Sequence, residues 1–101
     1  MNVYQASDFY HCLIKIMDHY GLNHQLYKKL PEELNELIEA IQDQEKSASE
    51  EHWKHIIEEA ADVFILLEQF QMSLYKEDQQ LFDHICMFKV HRQLKRIKKE
   101  Q

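Results

Sequence analysis

Hydrophobic residues recur at intervals of three and four along most of this 101-residue chain. That spacing gathers them on one face of an α-helix, and four segments carry it. Gly21 offers a stop after the first segment, and Asn23 is a plausible N-cap for the second. Pro31 interrupts the second segment and predicts a kink or a fresh helix start there, because proline cannot donate a backbone hydrogen bond. The predicted helices cover residues 7–20, 23–41, 47–75 and 81–98.

The third and fourth segments differ in their apolar character. The stretch from Ser47 to Glu50 matches a capping box and is expected to open the third helix. Residues 60–67 of that helix are apolar nearly all round except for Asp62, so we expect the most buried element here. In the fourth helix, the residues expected to face inward are Leu81, Ile85, Phe88, Leu94 and Ile97.

The composition favours helices joined by short links, because the chain has one glycine and one proline. The length suits one domain, so we expect an all-α, four-helix antiparallel bundle-like domain spanning residues 1–101. The two cysteines, Cys12 and Cys86, belong to no metal-binding spacing and indicate free thiols in a reducing compartment. No signal peptide or membrane span is recognisable, so we expect a cytoplasmic protein.

Charge is distributed unevenly along the chain, whose net charge is −6. Eleven of the eighteen acidic residues fall between Glu32 and Asp62, and six of the twelve basic residues fall between Lys89 and Lys99. An acidic centre repels a polyanion unless metal ions lie between them, whereas a basic segment attracts it. This division is a first indication of a site for metal and phosphate.

Two pairs of acids could form that site. Glu33 and Glu36 are three residues apart on the second helix, and Glu59 and Asp62 are three apart on the third. Side chains at this spacing share a helix face, so antiparallel helices could bring the four carboxylates together. An all-oxygen site suits Mg²⁺ or Mn²⁺. The alternative is that these acids form the solvated faces of two helices, but Asp62, in apolar surroundings, would then be a costly unpaired charge.

The motifs EELNE (32–36) and EAAD (59–62), separated by 22 residues, resemble the EExxE…ExxD signature of MazG-type all-alpha nucleotide pyrophosphohydrolases. The resemblance extends over residues 20–97. It implies Mg²⁺-dependent hydrolysis of a nucleoside triphosphate, or deoxynucleoside triphosphate, to the monophosphate and pyrophosphate. It also implies that Glu33, Glu36, Glu59 and Asp62 are the metal ligands and catalytic residues, and that the chain assembles as a homodimer or homotetramer.

Basic and amide side chains near these motifs are candidates for binding the nucleotide. Lys89, Arg92 and Arg96 share one face of the last helix, although such a basic end could equally complement the helix dipole. Gln25 and Lys29 precede Glu33 by eight and four residues and so lie on roughly its face. The base and sugar preference is encoded in no short motif.

Three other interpretations are open. The chain could be a non-catalytic helical interaction module that keeps this fold. His52, His55 and Glu59 have a spacing that could bind zinc, although closed zinc motifs are absent. The basic C-terminal segment could contact nucleic acid, but the overall acidity argues against a stable nucleic-acid partner.

Overall fold

The structure, a computed structural model, describes residues 3–101. Helix α1 covers Val3–Tyr20, α2 covers Leu30–Lys46, α3 covers Glu50–Ser73 and α4 covers Lys76–Glu100. A π-helical segment, His24–Lys29, leads directly into α2. Across these described residues there is no β-strand, which confirms the all-α prediction.

The first helix ends where its sequence predicts. Gly21 has a φ of 89°, in the left-handed region that glycine enters without a steric penalty, and its N–H donates to Met17 O at 2.7 Å. The helix begins earlier than expected, at Val3.

Pro31 produces a change of helix type instead of a break. The N–H of Leu30 donates to the carbonyl of Gln25, five residues back, which is the hydrogen bond of a π-helix. Pro31 then occupies the first turn of α2, a position that suits proline because its fixed φ is already helical. Asn23, the expected N-cap, has helical dihedral angles and no capping hydrogen bond, so that prediction was wrong.

Residues 47–49 link α2 to α3, and this short connection makes the two helices run antiparallel. Ser49 is the N-cap of α3, because its Oγ accepts the N–H of His52 at 3.0 Å. Gln44 Oε1 accepts the N–H of Ser49, also at 3.0 Å. The sequence pattern had placed the cap at Ser47. In the structure the cap is Ser49, two residues later.

The core is small and lies between α2, α3 and the π-helical segment. Leu30, Val63 and Leu66 are buried together, with Leu26 and Leu37 packed against them. Helix α1 joins this core through buried Leu13 and through Phe9, whose ring stacks on Phe64 at a centroid distance of 6.4 Å.

Helix α4 does not join the core, and no residue of it is buried. The five side chains expected to face inward are all exposed, so that prediction is wrong for the isolated chain. The chain exposes 8480 Å² of surface, whereas a folded monomer of this mass exposes roughly 6,100 Å². Its radius of gyration is 16.8 Å, compared with about 13 Å for a compact chain of this length. None of the described helices combines the length and hydrophobicity that a bilayer crossing requires.

Candidate metal centre

The first turns of α2 face the middle of α3, and acidic side chains from both helices meet there. Glu33, Glu59 and Asp62 each offer a carboxylate oxygen, and these oxygens lie within 4.8 Å of one another. A second group with the same spacing consists of Glu32, Glu33 and Glu36. Glu33 belongs to both groups, so the acids predicted from the two motifs form one continuous cluster with Glu33 at its centre.

Burial within the cluster differs from what the sequence suggested. Glu33 is only 8% exposed and Glu59 is half-buried, whereas Asp62 is exposed. The expectation that apolar surroundings bury the Asp62 carboxylate was wrong. Its apolar neighbours on α3 explain the error, because Phe64 and Leu67 are themselves about half exposed in the single chain.

Two carboxylate oxygens in the cluster are buried and accept no hydrogen bond from any described residue: Glu33 Oε2 and Glu59 Oε2. A buried carboxylate oxygen without a partner costs several kcal/mol, unless a cation compensates its charge. Carboxylates in an all-oxygen group are the ligands that Mg²⁺ and Mn²⁺ prefer. The residues present therefore fit a divalent cation between α2 and α3.

The other oxygen of each buried carboxylate contacts a basic side chain. Lys29 Nζ lies 3.5 Å from Glu33 Oε1 and 3.5 Å from Glu32 Oε1. The pKa of Lys29 is raised, mainly by the negative charge of Glu32 and next by the hydrogen bond to Glu33. On α3, His55 Nε2 lies 3.1 Å from Glu59 Oε1. Each of these two carboxylates thus contacts a base through one oxygen, while its other oxygen is buried without a partner among the described residues.

The zinc interpretation finds no support in this geometry. The ring of His52 contacts the carbonyl of Ser47 at 2.7 Å, at the start of α3, and only His55 approaches Glu59. No group of potential metal ligands among residues 3–101 includes a histidine.

Gln25 lies beside the cluster, but its amide is occupied within the protein. Its Nε2 donates to Gln69 Oε1 at 2.9 Å, and its Oε1 faces His24 Nδ1 at 2.8 Å. Gln69 is completely buried and donates in turn to the carbonyl of Leu13 at 3.2 Å. Sequence reasoning missed Gln69, although a polar residue seven positions after Asp62 and three after Leu66 lies on the inward face of α3.

A small pocket of about 140 Å³ adjoins the cluster. Lys29, one of the predicted substrate-binding residues, lines it together with Gln25, Glu33, Asp62, Ile65 and Leu66.

The predicted basic residues of α4 lie elsewhere. Lys89, Arg92 and Arg96 are exposed, and no ion pair between described residues joins them to the carboxylates. The guanidinium of Arg92 lies over the ring of Phe88 at 6.0 Å from its centroid. Within one chain, the structure does not bring these three residues to the acidic cluster.

Comparison with known proteins gives one finding. The family model described as MazG nucleotide pyrophosphohydrolase domain matches residues 22–97, about three quarters of the chain. The matched segment contains the π-helical segment, α2, α3 and most of α4, and so every acid of the cluster. No curated protein and no solved structure matches the chain.

Proposed function

This chain belongs to the family of MazG nucleotide pyrophosphohydrolase domains, and on that premise we propose that it hydrolyses a nucleoside triphosphate or deoxynucleoside triphosphate to the monophosphate and pyrophosphate. Mg²⁺ is the proposed cofactor, and Mn²⁺ is an acceptable substitute. The proposed ligands are Glu33, Glu36, Glu59 and Asp62.

The observation that carries this proposal is the pair of buried, partnerless oxygens on Glu33 and Glu59. Acids on solvated helix faces direct their oxygens to water, and these two do not. Glu36 supports the same centre from α2, because it shares a group with Glu33.

Bound Mg²⁺ would neutralise phosphate charge and increase the acidity of a water molecule. The protein contributes position and proton transfer. Glu33 and Glu59 are fixed in orientation by Lys29 and His55. Asp62 is exposed, as Glu36 is, and it lies on α3 beside Glu59, so its carboxylate can accept the proton of the attacking water. Lys29 has a further N–H available for a phosphate oxygen.

A second copy of the chain is the proposed partner of α4, in a homodimer or homotetramer. The large exposed surface and the apolar residues along α4 support such an assembly. In it, Lys89, Arg92 and Arg96 could approach the phosphates bound at a neighbouring subunit's acids, because their charge is complementary. The two exposed thiols, Cys12 and Cys86, support a reducing, cytoplasmic setting.

A non-catalytic interaction module is the alternative. The observation that favours it is that no described ion pair joins the basic residues of α4 to the acidic cluster, so one chain alone offers the substrate only part of a site.

Adjacent acids on α3 provide the test. A panel of nucleoside triphosphates is incubated with Mg²⁺, and pyrophosphate release is measured for the wild type, for Glu59→Gln and for Glu58→Gln. Glu58 is exposed and belongs to neither group of acids, so both substitutions remove the same charge one residue apart. We expect Glu59→Gln to lose activity by about a hundredfold or more and Glu58→Gln to keep it. Equal rates in the two variants would exclude the proposed site, and no release from any nucleotide would establish the interaction module.

A further inference from the structure

Beside the acidic cluster, three side chains form a hydrogen-bonded chain with one possible direction. It begins at the carbonyl of Leu13, which can only accept a hydrogen bond. Gln69 must therefore present its NH₂ group to Leu13 and its carbonyl oxygen to Gln25. Gln25 in turn donates its NH₂ group to Gln69 and presents its own carbonyl oxygen to His24. The backbone of α1 thus fixes the orientation of both amides.

This direction determines the tautomer of His24. Because Gln25 Oε1 is an acceptor, the ring nitrogen that faces it, His24 Nδ1 at 2.8 Å, must carry a proton. A neutral imidazole carries one N–H, so Nε2 is then left as a hydrogen-bond acceptor. The ring is also held in place by stacking on Tyr20, with centroids 5.1 Å apart and planes 20° apart.

A pocket of about 460 Å³ opens at this ring. It shares Gln25 and Lys29 with the small pocket over the acids, so the two pockets are neighbours on either side of Lys29. Pockets for small organic ligands begin at roughly 300 Å³. The larger pocket combines aromatic, aliphatic and charged surface, and its lining consists of Ile16, Tyr20, His24, Gln25, Lys28, Lys29 and Glu32.

From this arrangement we propose that the pocket at His24 holds the nucleoside part of the substrate, and that His24 Nε2 accepts a hydrogen bond from an N–H of the base or an O–H of the sugar. This inference rests on the proposed function, which places the phosphates at the acids beyond Lys29. Gln69 acts as a positioning residue, because it sets the direction of the chain that gives His24 its acceptor.

The substitution His24→Asn distinguishes the roles of the two nitrogen atoms of the histidine ring. The amide nitrogen of asparagine can replace Nδ1 as donor to Gln25, whereas nothing replaces Nε2. Binding of non-hydrolysable α,β-methylene nucleoside triphosphates and of inorganic tripolyphosphate is measured by calorimetry with Mg²⁺. His24→Asn should weaken nucleotide binding about fivefold to tenfold and leave tripolyphosphate binding unchanged. The control, His19→Asn, changes a histidine that contacts the same Tyr20 but does not line the pocket.

Two further measurements make the result decisive. Nitrogen NMR of the neutral ring should show the Nδ1–H tautomer in the wild type and its loss in Gln69→Leu. The affinity of a 2′,3′-dideoxynucleotide is also compared between the wild type and His24→Asn. If the substitution still weakens binding, His24 contacts the base; if it no longer does, His24 contacts the sugar.

The inference is overturned by an Nε2–H tautomer in the wild type, or by nucleotide affinity that is equal in wild type and His24→Asn. One readout is the tautomer of His24 and the other is nucleotide affinity, so both are independent of turnover. If nucleotide binding depends on His24 but no pyrophosphate is released, the proposed reaction is refuted and the proposed nucleoside pocket is supported.

Discussion

The facing surfaces of α2 and α3 and the long helix α4 present opposite problems within one chain. Between α2 and α3, polar atoms are buried without partners, at Glu33 Oε2 and Glu59 Oε2. Along α4, apolar side chains such as Phe88 and Leu94 are exposed, with 61% and 58% of their surface accessible. A cation would compensate the buried negative charge, and a protein partner would cover the exposed apolar surface. The two regions therefore lack different partners.

The magnitudes indicate that both deficits matter. An unpartnered buried carboxylate costs several kcal/mol, which is a large part of the stability of a small domain. Burying a leucine or phenylalanine side chain contributes about 1.5–3 kcal/mol, and α4 exposes several such residues. Under the proposed function, all four proposed metal ligands lie within one chain, whereas the phosphate contacts proposed for α4 require a second copy.

The sharpest test of the first region compares Glu33, its buried acid, with Asp62, an exposed one. We expect Glu33→Gln to reduce pyrophosphate release by about a thousandfold and Asp62→Asn to reduce it by about a hundredfold. The larger effect is expected at Glu33 because it belongs to both groups of acids. Rates at saturating Mg²⁺ measure this difference. An Asp62→Asn variant that is the more damaged of the two would show that exposure does not rank these ligands.

The same pair of variants also tests the buried charge without turnover. In metal-free protein, Glu33→Gln should raise the melting temperature by a few degrees, for a gain of about 1 kcal/mol, because a neutral amide is cheaper to bury than a carboxylate. Asp62→Asn should leave the melting temperature nearly unchanged, since Asp62 is already solvated. A Glu33→Gln variant that melts lower than the wild type would contradict the cost assigned to its buried oxygen.

The second region is tested by placing a charge on the apolar face of α4. Leu94→Glu should dissociate the assembly in sedimentation velocity, because burying a carboxylate in an interface costs several kcal/mol. Turnover should then fall about tenfold, while Mn²⁺ affinity stays within about twofold because the acids lie within one chain.

Gln93→Glu is the matched control for α4, since it adds the same charge one residue away on a different face of the helix. It should leave the assembly intact. A wild-type chain that sediments as a monomer at micromolar concentration would remove the partner proposed for α4.

Sequence reasoning succeeded where the controlling interactions are local. The stop at Gly21 and the spacing within each acid pair depend on neighbours within a few positions, and the structure has both. The four helical segments are also present, but α2 continues to Lys46 instead of ending at residue 41, and α4 begins at Lys76 instead of residue 81. The capping position was misplaced because Ser47 and Ser49 are both plausible caps, and the choice depends on Gln44, a residue of the preceding helix.

Burial could not be predicted with the same success. The apolar surroundings of Asp62 in the sequence suggested an interior that one chain does not provide, and the apolar stripe of α4 has no partner within the chain. The π-helical segment and Gln69 were also missed. Helical spacing places Gln69 on the inward face of α3, but its hydrogen-bond partners, Gln25 and Leu13, lie 44 and 56 positions away in the sequence, and no local pattern encodes those contacts.

The smallest expected effect lies at Lys29, between the acids and the pocket. Its ammonium group, 3.5 Å from both Glu32 and Glu33, competes with a metal ion for the same negative charge. Lys29→Met keeps the aliphatic stem and removes the charge, so Mn²⁺ should bind about fivefold more tightly in the absence of nucleotide. Nucleotide should bind more weakly in the same variant, because a phosphate oxygen loses a donor.

Lys28→Met is the control, since Lys28 forms no ion pair with any described acid. Metal titrations of both variants decide the question: equal affinities would mean that Lys29 neutralises the acids without influencing the cation, and its role would then be confined to the substrate.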